Sequence, residues 1–368
     1  MNEMNPENTK KLMWQIREAA GKIGLDQIGF TPLTLSPSLI QDYEKWLHNG
    51  YSADMNYLKS QLELKKDPRS LLPEALCIIS VGLLYHPAEQ LPQDPLHGRI
   101  SCYAYGRDYH KVLKRKLQLL SEEIRHLASE FKYRAFVDSG PVFEKLYAHS
   151  AGLGSRGKNS LLINYHLGSM FFIGELIANL PLSEEERRDF DPCHGCSRCV
   201  KSCPTGAILP GREINASRCI AYLTVEYRGI IPRELADLMG NHIFGCDDCQ
   251  SCCPWNKRKI ATGEKDFILR YTEEFTRLEN LAVLSPEEFS RCFEGSPIRR
   301  AGYESFMRNV IIALGNSGDR NLTPLIEKFT RSTSTILRTQ SIWALEKLSG
   351  GTTESSMTTT DTFLQDPT

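Results

Sequence analysis

The cysteines constrain this chain more than any other residue type, because nine of its twelve lie between Cys193 and Cys253. The first run, from Cys193 to Pro204, has the spacing C-x2-C-x2-C-x3-C-P. In bacterial ferredoxins, this spacing lets three thiolates hold one four-iron cluster while the fourth reaches a second cluster. The spacing therefore predicts an iron–sulfur region in the middle of the chain.

A second run, C-x2-C-x3-C-P, extends from Cys246 to Pro254 and lacks one of the close cysteines, which Cys219 can supply. Eight thiolates are enough for two four-iron clusters, and the ferredoxin crossover divides them into two sets. The first thiolate group is Cys193, Cys196, Cys199 and Cys253, and the second thiolate group is Cys203, Cys219, Cys246 and Cys249.

Structural zinc is the main alternative, because zinc sites also use C-x2-C pairs. Zinc sites usually show two separated pairs, whereas the run here continues through three close cysteines to a fourth that precedes proline. The spacing therefore favours iron–sulfur clusters. Cys252, next to the better-spaced Cys253, is predicted to be a packing residue.

The charge balance limits how this chain can contact nucleic acid. With 44 Lys and Arg residues against 45 Asp and Glu residues, its net charge is -1, so any such contact must be a local patch. Residues 1–11 are polar, and no stretch approaches the ~18 apolar residues needed to span a bilayer. We therefore expect a soluble, cytoplasmic protein whose cysteines stay reduced and bind metal.

The hydrophobic pattern divides the chain into four parts. Residues 1–182 alternate predicted helices and strands, which favours a mixed α/β domain. Residues 183–262 hold the cysteines, behind a polar linker over residues 181–192, and residues 263–349 are predicted to be helical. Residues 350–368 are rich in Ser, Thr and Gly and are predicted to be disordered.

Apolar periodicity predicts individual elements in the first part. The predicted strands are 27–30, 77–85, 134–137, 161–165 and 170–176, and the predicted helices are 10–23, 109–131 and 143–151. In the helical part, residues 308–315 are echoed by residues 339–346 at an offset of 31 residues. That period resembles short HEAT-like helical pairs, and a plain helical hairpin explains it equally well.

The string from Gly152 to Gly157 matches G-x-G-x-x-G, the dinucleotide-binding fingerprint. That fingerprint needs a strand before the glycines and a helix after them, so that a pyrophosphate meets the helix N-terminus. Here the order of the predicted elements is reversed. We therefore interpret the glycines as a loop that lets a flat ligand approach the backbone.

Asp138 follows a predicted strand and precedes a predicted helix. Such an aspartate can simply form an Asx-turn or cap the helix. In open α/β sheets, however, ligands bind beyond the carboxyl ends of the strands. Asp138, close to the glycine loop, is therefore a candidate proton donor.

Together these motifs resemble the epoxyqueuosine reductase family, the cobalamin-dependent iron–sulfur enzymes that complete queuosine in transfer RNA. The resemblance extends over residues 10–349. Besides the first cysteine run, which continues as Cys-Pro-Thr-Gly-Ala, it rests on these segments: Gly106–His110, Val137–Gly140, Ala151–Gly154 with Lys158 and Asn159, Cys219–Thr224, Gly245–Cys249 and Cys253–Asn256.

The resemblance implies a nitroreductase-like α/β cobalamin domain, a ferredoxin-like α+β domain with two 4Fe-4S clusters and an all-α HEAT-like carboxy-terminal region. It also implies an oxidoreductase that removes the epoxide oxygen of epoxyqueuosine, with electrons passing through the clusters to cobalamin. Asp138 matches the family's proton donor, and we expect burial against the corrin to raise its pKa. The implied cofactor contacts are Lys65, Cys102, Asp138, Lys158, Asn159, Ile163 and Thr224. For Cys102, a small buried packing residue is the favoured alternative.

The implied partners are a transfer RNA with a GUN anticodon (for Asp, Asn, His or Tyr) and an external low-potential electron donor, and the implied state is a monomer. RNA phosphates require local positive charge, although charged helix faces are usually just solvated. The candidate RNA contacts are Lys111, Arg115, Arg299, Arg300 and Arg308. Two other functions stay open at this point: a related corrinoid iron–sulfur reductase of a small molecule, such as a dehalogenase, and a ferredoxin-type electron carrier.

Overall fold

The computed structural model describes residues 5–182, 190–258 and 260–350. The predicted disordered tail lies outside the described residues except for Gly350, and so do residues 183–189 of the predicted linker. Among the described residues, no helix combines the length and the apolarity needed to cross a membrane.

The first part of the chain forms a sheet with helices packed on it. Its α-helices are α1 Pro6–Ile23, α2 Pro37–His48, α3 Asn56–Ser60, α4 Leu62–Lys66, α5 Tyr109–Leu127 and α6 Glu144–Ser150. Its strands are β1 Gln27–Pro32, β2 Cys77–Leu84, β3 Arg99–Ile100, β4 Tyr133–Phe136, β5 Ser155–Arg156, β6 Leu162–Ile163 and β7 Phe171–Ala178.

The cysteine-rich part has short elements, and the last part is helical. The former contains α7 Arg198–Ser202, β8 Ile208–Leu209, β9 Glu213–Ile214, α8 Ile220–Val225, α9 Arg233–Leu238, β10 His242–Phe244 and α10 Asp248–Ser251. The latter contains α11 Glu273–Thr276, α12 Leu278–Leu281, α13 Pro286–Cys292, α14 Tyr303–Asn316, α15 Thr323–Glu327 and α16 Thr335–Ser349, with a 3-10 helix over Pro297–Ala301.

The main sheet has the order β1-β2-β7-β4, and every neighbouring pair in it is antiparallel. The predicted mixture of helices and strands is confirmed, and the direction of these four strands, which the apolar pattern does not specify, is antiparallel throughout. The order of helices and strands along the chain does not fix strand direction, because a long connection can return to either end of the sheet.

Both faces of this sheet are covered, which explains the continuous apolar sequence of β2. Ile79 and Val81 belong to the core that includes α1 and α5. Ile78 and Ile177 point to the other side, where they pack with Tyr147 of α6. The strands therefore form the middle layer of three.

The start of α5 is fixed by its cap, and this matters for the site described below. The Asp108 side chain accepts a hydrogen bond from the backbone N–H of His110, which satisfies a free donor at the helix N-terminus. The apolar residues Val112, Leu113 and Leu117 are buried against the sheet. Tyr109 and His110 are therefore held at the end of the helix nearest the β4–α6 loop.

The three ordered parts share one hydrophobic core, with members from α1, α8 and α14. Strand β3 of the first part pairs in parallel with β10 of the cysteine-rich part, His242 lying opposite Arg99. The predicted domain boundaries therefore separate stretches of sequence whose packing is continuous.

The echoed segments of the helical part fall in α14 and α16, which pack against each other. Their approach is close at Gly315, where an added Cβ atom would lie 2.8 Å from the Cβ of Ala344. Residues Ser305–Gly315 of α14 are all buried, so this helix is central to the carboxy-terminal part.

Candidate redox site

Asp138 lies two residues after β4 and has a left-handed backbone conformation with φ of 59°, which is unfavourable for a residue with a Cβ atom. Its backbone N–H donates to Glu144 Oε1 at 2.5 Å. Its Oδ2 accepts a hydrogen bond from Tyr109 Oη at 2.8 Å and lies 3.1 Å from His110 Nε2. The backbone and the carboxylate are thus held by different elements, α6 and α5.

His110 connects Asp138 with two more charged groups. Its Nδ1 lies 2.6 Å from Asp108 Oδ1, and Arg300 Nη1 lies 2.6 Å from its Nε2. Burial lowers the pKa of His110, but hydrogen bonds to Asp108 and Asp138 raise it by more, so the net pKa is above its ordinary value. A proton can therefore be held between His110 and Asp138.

The two carboxyl groups of the site have pKa values shifted in opposite directions. Burial raises the pKa of Asp138, but hydrogen bonds from His110 and Tyr109 outweigh burial, and the net pKa lies below its ordinary value. For Glu144, burial and the nearby charge of Asp138 raise the pKa to about 8. Two donors thus stabilise the charged form of Asp138, and of the two carboxyl groups it is Glu144 whose pKa is raised; the rise expected for Asp138 on burial against a corrin stays a prediction.

The side chains around Asp138 lie in a concave part of the protein surface. The Asp138 side chain is 58% exposed, and Lys145 is exposed as well. Burial is nevertheless the largest effect on the pKa of both groups. Side chains that are accessible yet surrounded by protein line a cavity. Tyr57, 47% exposed, faces the same space, since the charges of Asp138 and Arg300 act on its pKa.

Lys65 borders this cavity from α4. Its side chain is buried, and its Nζ lies 3.5 Å from Tyr43 Oη and 5.9 Å from the centre of the Phe143 ring. Burial lowers the pKa of Lys65, while the charges of Glu144 and Asp138 raise it. Lys65 is thus within electrostatic reach of the site, and its contact with a cofactor stays a prediction.

The sulfurs of the second thiolate group are neighbours. Cys219 interacts electrostatically with Cys203, and both Cys246 and Cys249 interact with Cys219. Cys203 Sγ also accepts a hydrogen bond from the backbone N–H of Ala207 at 3.3 Å. A backbone donor aimed at a sulfur stabilises a thiolate, the form that binds metal.

The first thiolate group assembles in the same manner. Cys199 interacts electrostatically with Cys193 and Cys253, and the latter two pack in one cluster with Ile163. The backbone N–H of Cys196 donates to Cys193 O at 3.0 Å. These contacts bring the four predicted ligands to one place.

The leftover thiol, Cys252, lies beside the first thiolate group. It interacts electrostatically with Cys196, and its Sγ lies 3.6 Å from Cys249 O. Its contact with the Cys249 carbonyl agrees with the predicted packing role.

Lys145 lies within electrostatic reach of the second thiolate group and of Asp138. Its ammonium group interacts electrostatically with Asp138 and with Cys219. A carboxyl group that can handle protons and one of the four sulfurs are therefore near the same cation.

Lys158 and Asn159 form hydrogen bonds to cysteines of the two thiolate groups. The backbone N–H of Lys158 donates to Cys193 Sγ at 3.3 Å, and its Nζ donates to Cys196 O at 2.7 Å. Asn159 Nδ2 donates to Cys249 O at 3.4 Å. The pair thus links the two groups. The structure places both residues against cysteines, where the predicted role was a corrin contact.

Two other predicted corrin contacts have inaccessible side chains. Ile163 is 1% exposed and packs on Cys193 and Cys253. Thr224 is 0% exposed, and its Oγ1 donates to Ile220 O and accepts from the Gly245 N–H. The prediction of side-chain contact is therefore wrong for both, since their surfaces and hydrogen bonds are taken up within the protein.

Cys102 and the glycine loop also serve packing. Cys102 is buried, and its N–H donates to Asp247 Oδ2 at 2.7 Å, which agrees with the packing alternative. An added Cβ at Gly154 would lie 2.8 Å from Ile163 O, and one at Gly157 would lie 2.6 Å from Ile163 Cδ1. These two glycines allow the loop to approach β6. We had expected them to allow a flat ligand to approach the backbone.

The donor set fits the implied metal groups. Two neighbouring sets of four sulfurs, each with a backbone N–H aimed at one sulfur, are suited to two 4Fe-4S clusters. Lys65 and Lys145 both interact electrostatically with Asp138, beside the second thiolate group, and the family resemblance implies the flat cofactor at Lys65 and Asp138.

The predicted RNA contacts differ in their surroundings. Lys111 and Arg299 are exposed. Arg115 is exposed but pairs with Asp266 at 2.8 Å. Arg300 is exposed and reaches His110. For these four residues, contact with RNA stays a prediction.

Arg308 does not face solvent. Its side chain is 0% exposed and donates to the backbone carbonyls of Leu223, Tyr227 and Gly229 at 2.6–2.9 Å. The prediction of an RNA contact is therefore wrong for Arg308. Its positive charge is used to tie α14 to the chain that follows Cys219.

Sequence reasoning missed the groups that surround Asp138. Tyr109 and His110 belong to the segment Gly106–His110, but the sequence pattern indicates no function for either residue. Glu144 and Lys145 open α6, six and seven residues after Asp138. The charged pair Glu144 and Lys145, a few residues after the aspartate at the strand end, could have been predicted as part of the site from the sequence. The approach of Arg300 could not, because it depends on long-range packing.

Two family models match the chain. One, described as "Epoxyqueuosine reductase QueG, DUF1730", matches residues 65–139, and the other, described as "4Fe-4S double cluster binding domain", matches residues 192–256. The second match favours clusters over structural zinc.

Similar proteins carry one name. The chain is 39% identical to an epoxyqueuosine reductase of Pseudomonas aeruginosa over 94% of this chain and 97% of the relative. It is 40% identical to an epoxyqueuosine reductase of Escherichia coli over 85% of this chain and 83% of the relative.

Solved structures of the same name resemble the fold. A crystal structure of epoxyqueuosine reductase with an epoxyqueuosine-modified tRNA-Tyr stem loop has a TM-score of 0.83 and 29% identity, covering 92% of this chain and 91% of that chain. A Bacillus subtilis epoxyqueuosine reductase whose catalytic aspartate loop is swung out of the active site has a TM-score of 0.84 and 28% identity, with the same coverage.

Proposed function

Because the chain belongs to the epoxyqueuosine reductase family, we propose that it removes the epoxide oxygen of epoxyqueuosine in transfer RNA and leaves queuosine. It is an oxidoreductase. The observation that carries the proposal is that Lys145 lies within electrostatic reach of both Asp138 and Cys219, because a reductive deoxygenation needs protons and electrons at one place.

The reaction breaks the two carbon–oxygen bonds of the epoxide and forms a carbon–carbon double bond. It takes up two electrons and two protons, and the oxygen leaves as water. Electrons that arrive singly require a path of one-electron carriers, and the departing oxygen requires an acid within hydrogen-bond reach.

Asp138 and His110 together suit the acid role. The lowered pKa of Asp138 favours its carboxylate form, while the raised pKa of His110 favours a proton on the imidazole. That proton can move from His110 Nε2 to Asp138 Oδ2, 3.1 Å away, and from there to the leaving oxygen. Tyr109 holds the carboxylate in place from the other side. A relative's catalytic aspartate loop supports this assignment.

The eight cysteines would hold two 4Fe-4S clusters, which supply single-electron transfer at low potential when bound. Lys65, Asp138 and Lys145 would line the site of a cobalamin in the cavity beside the second thiolate group. When bound, cobalamin supplies a redox-active cobalt ion that passes electrons to the substrate. Burial lowers the pKa of Lys145, while the charges of Asp138, Glu144 and Cys219 raise it.

The modified base would enter the cavity past Tyr57 and Arg300. RNA loops present unstacked bases that stack on aromatic rings, and Tyr57 offers an exposed ring close to Asp138. Lys111, Arg115, Arg299 and Arg300 remain the proposed phosphate contacts. A relative's structure with a modified tRNA stem loop supports the substrate class, and tRNAs with GUN anticodons are the proposed substrates.

The finer description of the protein also belongs to this proposal. We assign the cobalamin part, residues 1–182, to the nitroreductase-like class, the ferredoxin-like part to residues 183–262, and residues 263–349 to a HEAT-like region. We further propose a cytoplasmic monomer that receives electrons from an external low-potential donor.

Anaerobic reconstitution with iron, sulfide and cobalamin, followed by mass spectrometry of nucleosides from epoxyqueuosine-containing tRNA, tests the function. We expect conversion to queuosine that depends on an added reductant. Protein with both clusters and the corrin confirmed by spectroscopy that forms no queuosine would refute the proposal.

A further inference from the structure

Two stretches beside the cysteines of the first thiolate group carry positive charge and no acid, and Asp191, Asp247 and Asp248 flank them. Residues 192–206 include Arg198 and Lys201 and no Asp or Glu, and residues 249–258 include Lys257 and no Asp or Glu. All three of these cationic side chains are exposed. On a chain whose net charge is -1, this is a local concentration of positive charge.

The fold places these cations around the first thiolate group. In α7, Arg198 and Lys201 are three positions apart and therefore share a helix face, with Cys199 between them in sequence. Val200, 38% exposed, adds an apolar contact surface. Arg218 is exposed, and its Nε donates to Thr205 O at 2.7 Å, at the end of the same run. We call the following set the basic rim: Arg198, Val200, Lys201, Arg218 and Lys257.

The basic rim lies at the outer end of the electron path. The second thiolate group adjoins the cavity through Lys145, and Asn159 links it to the first thiolate group. Beside the first group, His194 and Gly195 are exposed, as is Arg198. An electron donor that cannot enter the substrate cavity therefore meets the first group by way of the basic rim.

We propose that the basic rim is the docking surface for an acidic one-electron carrier protein. The proposal rests on the proposed function, because it requires a 4Fe-4S cluster on the first thiolate group. In each encounter the reduced carrier loses one electron and a [4Fe-4S]2+ cluster becomes [4Fe-4S]+, and two encounters supply the pair that the epoxide consumes. Opposite charges steer such encounters and increase their rate.

RNA is the less suitable occupant of this surface. The modified base must reach Asp138, which interacts electrostatically with Lys145, as Cys219 of the second thiolate group does. His110, on α5, lies 3.1 Å from Asp138, and Arg300, on the 3-10 helix Pro297–Ala301, contacts His110. The RNA therefore needs a different face from the one that carries the basic rim.

The binding test compares two double variants of the reconstituted holoenzyme. One is Arg198→Glu with Lys201→Glu, and the control is Lys10→Glu with Lys11→Glu, an equal charge change on the exposed side of α1. The probe is an acidic two-iron ferredoxin. We expect the rim variant to bind it about tenfold more weakly at low salt, with the difference shrinking as salt screens the charges, and the control to bind normally.

Electron transfer provides the second readout. Bleaching of the cluster absorbance by reduced ferredoxin should slow about tenfold in the rim variant, whereas bleaching by photoreduced deazaflavin, a small donor, should be unchanged. The proposal is overturned if the rim variant and the control bind ferredoxin equally, or if the rim variant loses affinity for tRNA instead.

Two outcomes separate the rim from the enzyme itself. If deazaflavin cannot reduce the clusters of the wild-type protein, the result counts against the proposed function. The affinity for ferredoxin then still tests, independently, whether the basic rim is a docking surface. If the Glu variant loses iron, Arg198→Gln with Lys201→Gln removes the same positive charges more mildly, and unchanged ferredoxin affinity in it overturns the proposal.

Discussion

The thiolate groups and the Asp138 network are specified by the sequence in different ways. Seven of the eight predicted ligands lie in two short runs, so that spacing alone identifies them. The Asp138 network joins residues up to 190 positions apart, from His110 to Arg300. The identity of the metal ligands can thus be recognised from local spacing in this chain, whereas the residues of proton delivery are brought together only by the packing of distant elements. The following predictions test that contrast.

The largest effect is expected from the local region. Cys249→Ser removes one sulfur of the second thiolate group, so iron should fall from about eight to about four atoms per chain and turnover should be lost. Iron analysis and electron paramagnetic resonance measure this. Cys252→Ser, which changes the neighbouring leftover thiol, is the control and should keep both clusters. Full iron content in the Cys249 variant would show that Cys249 is not a cluster ligand and would contradict the assignment of ligands from spacing.

Asp138→Asn should affect chemistry without affecting the metal. It removes the carboxylate that passes a proton to the leaving oxygen, so turnover should fall about 10²–10⁴-fold while the corrin and cluster spectra stay intact. Asp191→Asn, which alters an aspartate paired with Arg212, serves as control. A loss of less than about tenfold would reduce Asp138 to a structural loop residue.

Arg308→Met tests whether the cysteine-rich region also depends on distant packing. The change leaves the carbonyls of Leu223, Tyr227 and Gly229 without their buried donor. We expect a loss of about 3–5 kcal/mol in the free energy of unfolding, measured by denaturant titration. Arg331→Met, at an exposed position, should cost less than about 0.5 kcal/mol. Equal stability of the two variants would contradict the burial argument.

The smallest expected effect concerns pH. The pKa of His110 is raised, so turnover should fall as pH rises through that value and the imidazole loses its proton. The protonated imidazole of His110 also contributes to the free energy of unfolding. This contribution is fully present below the pKa of about 6.5 that His110 has in the unfolded chain, and it is lost as pH rises through the higher pKa of the folded protein. His110→Gln should lower turnover about tenfold and remove this limb of the pH–rate profile. An unchanged profile would exclude His110 from proton delivery.

The sequence predicted the cysteine groups and the apolar strands because both depend on residues close together in the chain. It did not predict the antiparallel sheet, since apolar runs carry no information on strand direction. The sequence predicted Arg308 to be a surface cation. The arginine can be buried only because α8 and the following loop supply carbonyl acceptors, and their proximity to α14 is not visible in the sequence. For the same reason, sequence spacing near the glycine loop did not reveal that Ile163 and Asn159 contact cysteines.

The pairing of β3 with β10 has a consequence for how the protein is made. Cys246 follows β10 by two residues, and Asp247 is anchored by Ser101 and by the Cys102 N–H. The second set of sulfurs is therefore complete only after a contact spanning more than 140 positions has formed. Such a contact closes slowly compared with local ones. Iron delivery to the nascent chain must wait for that closure, so cluster maturation reports on folding of the whole molecule.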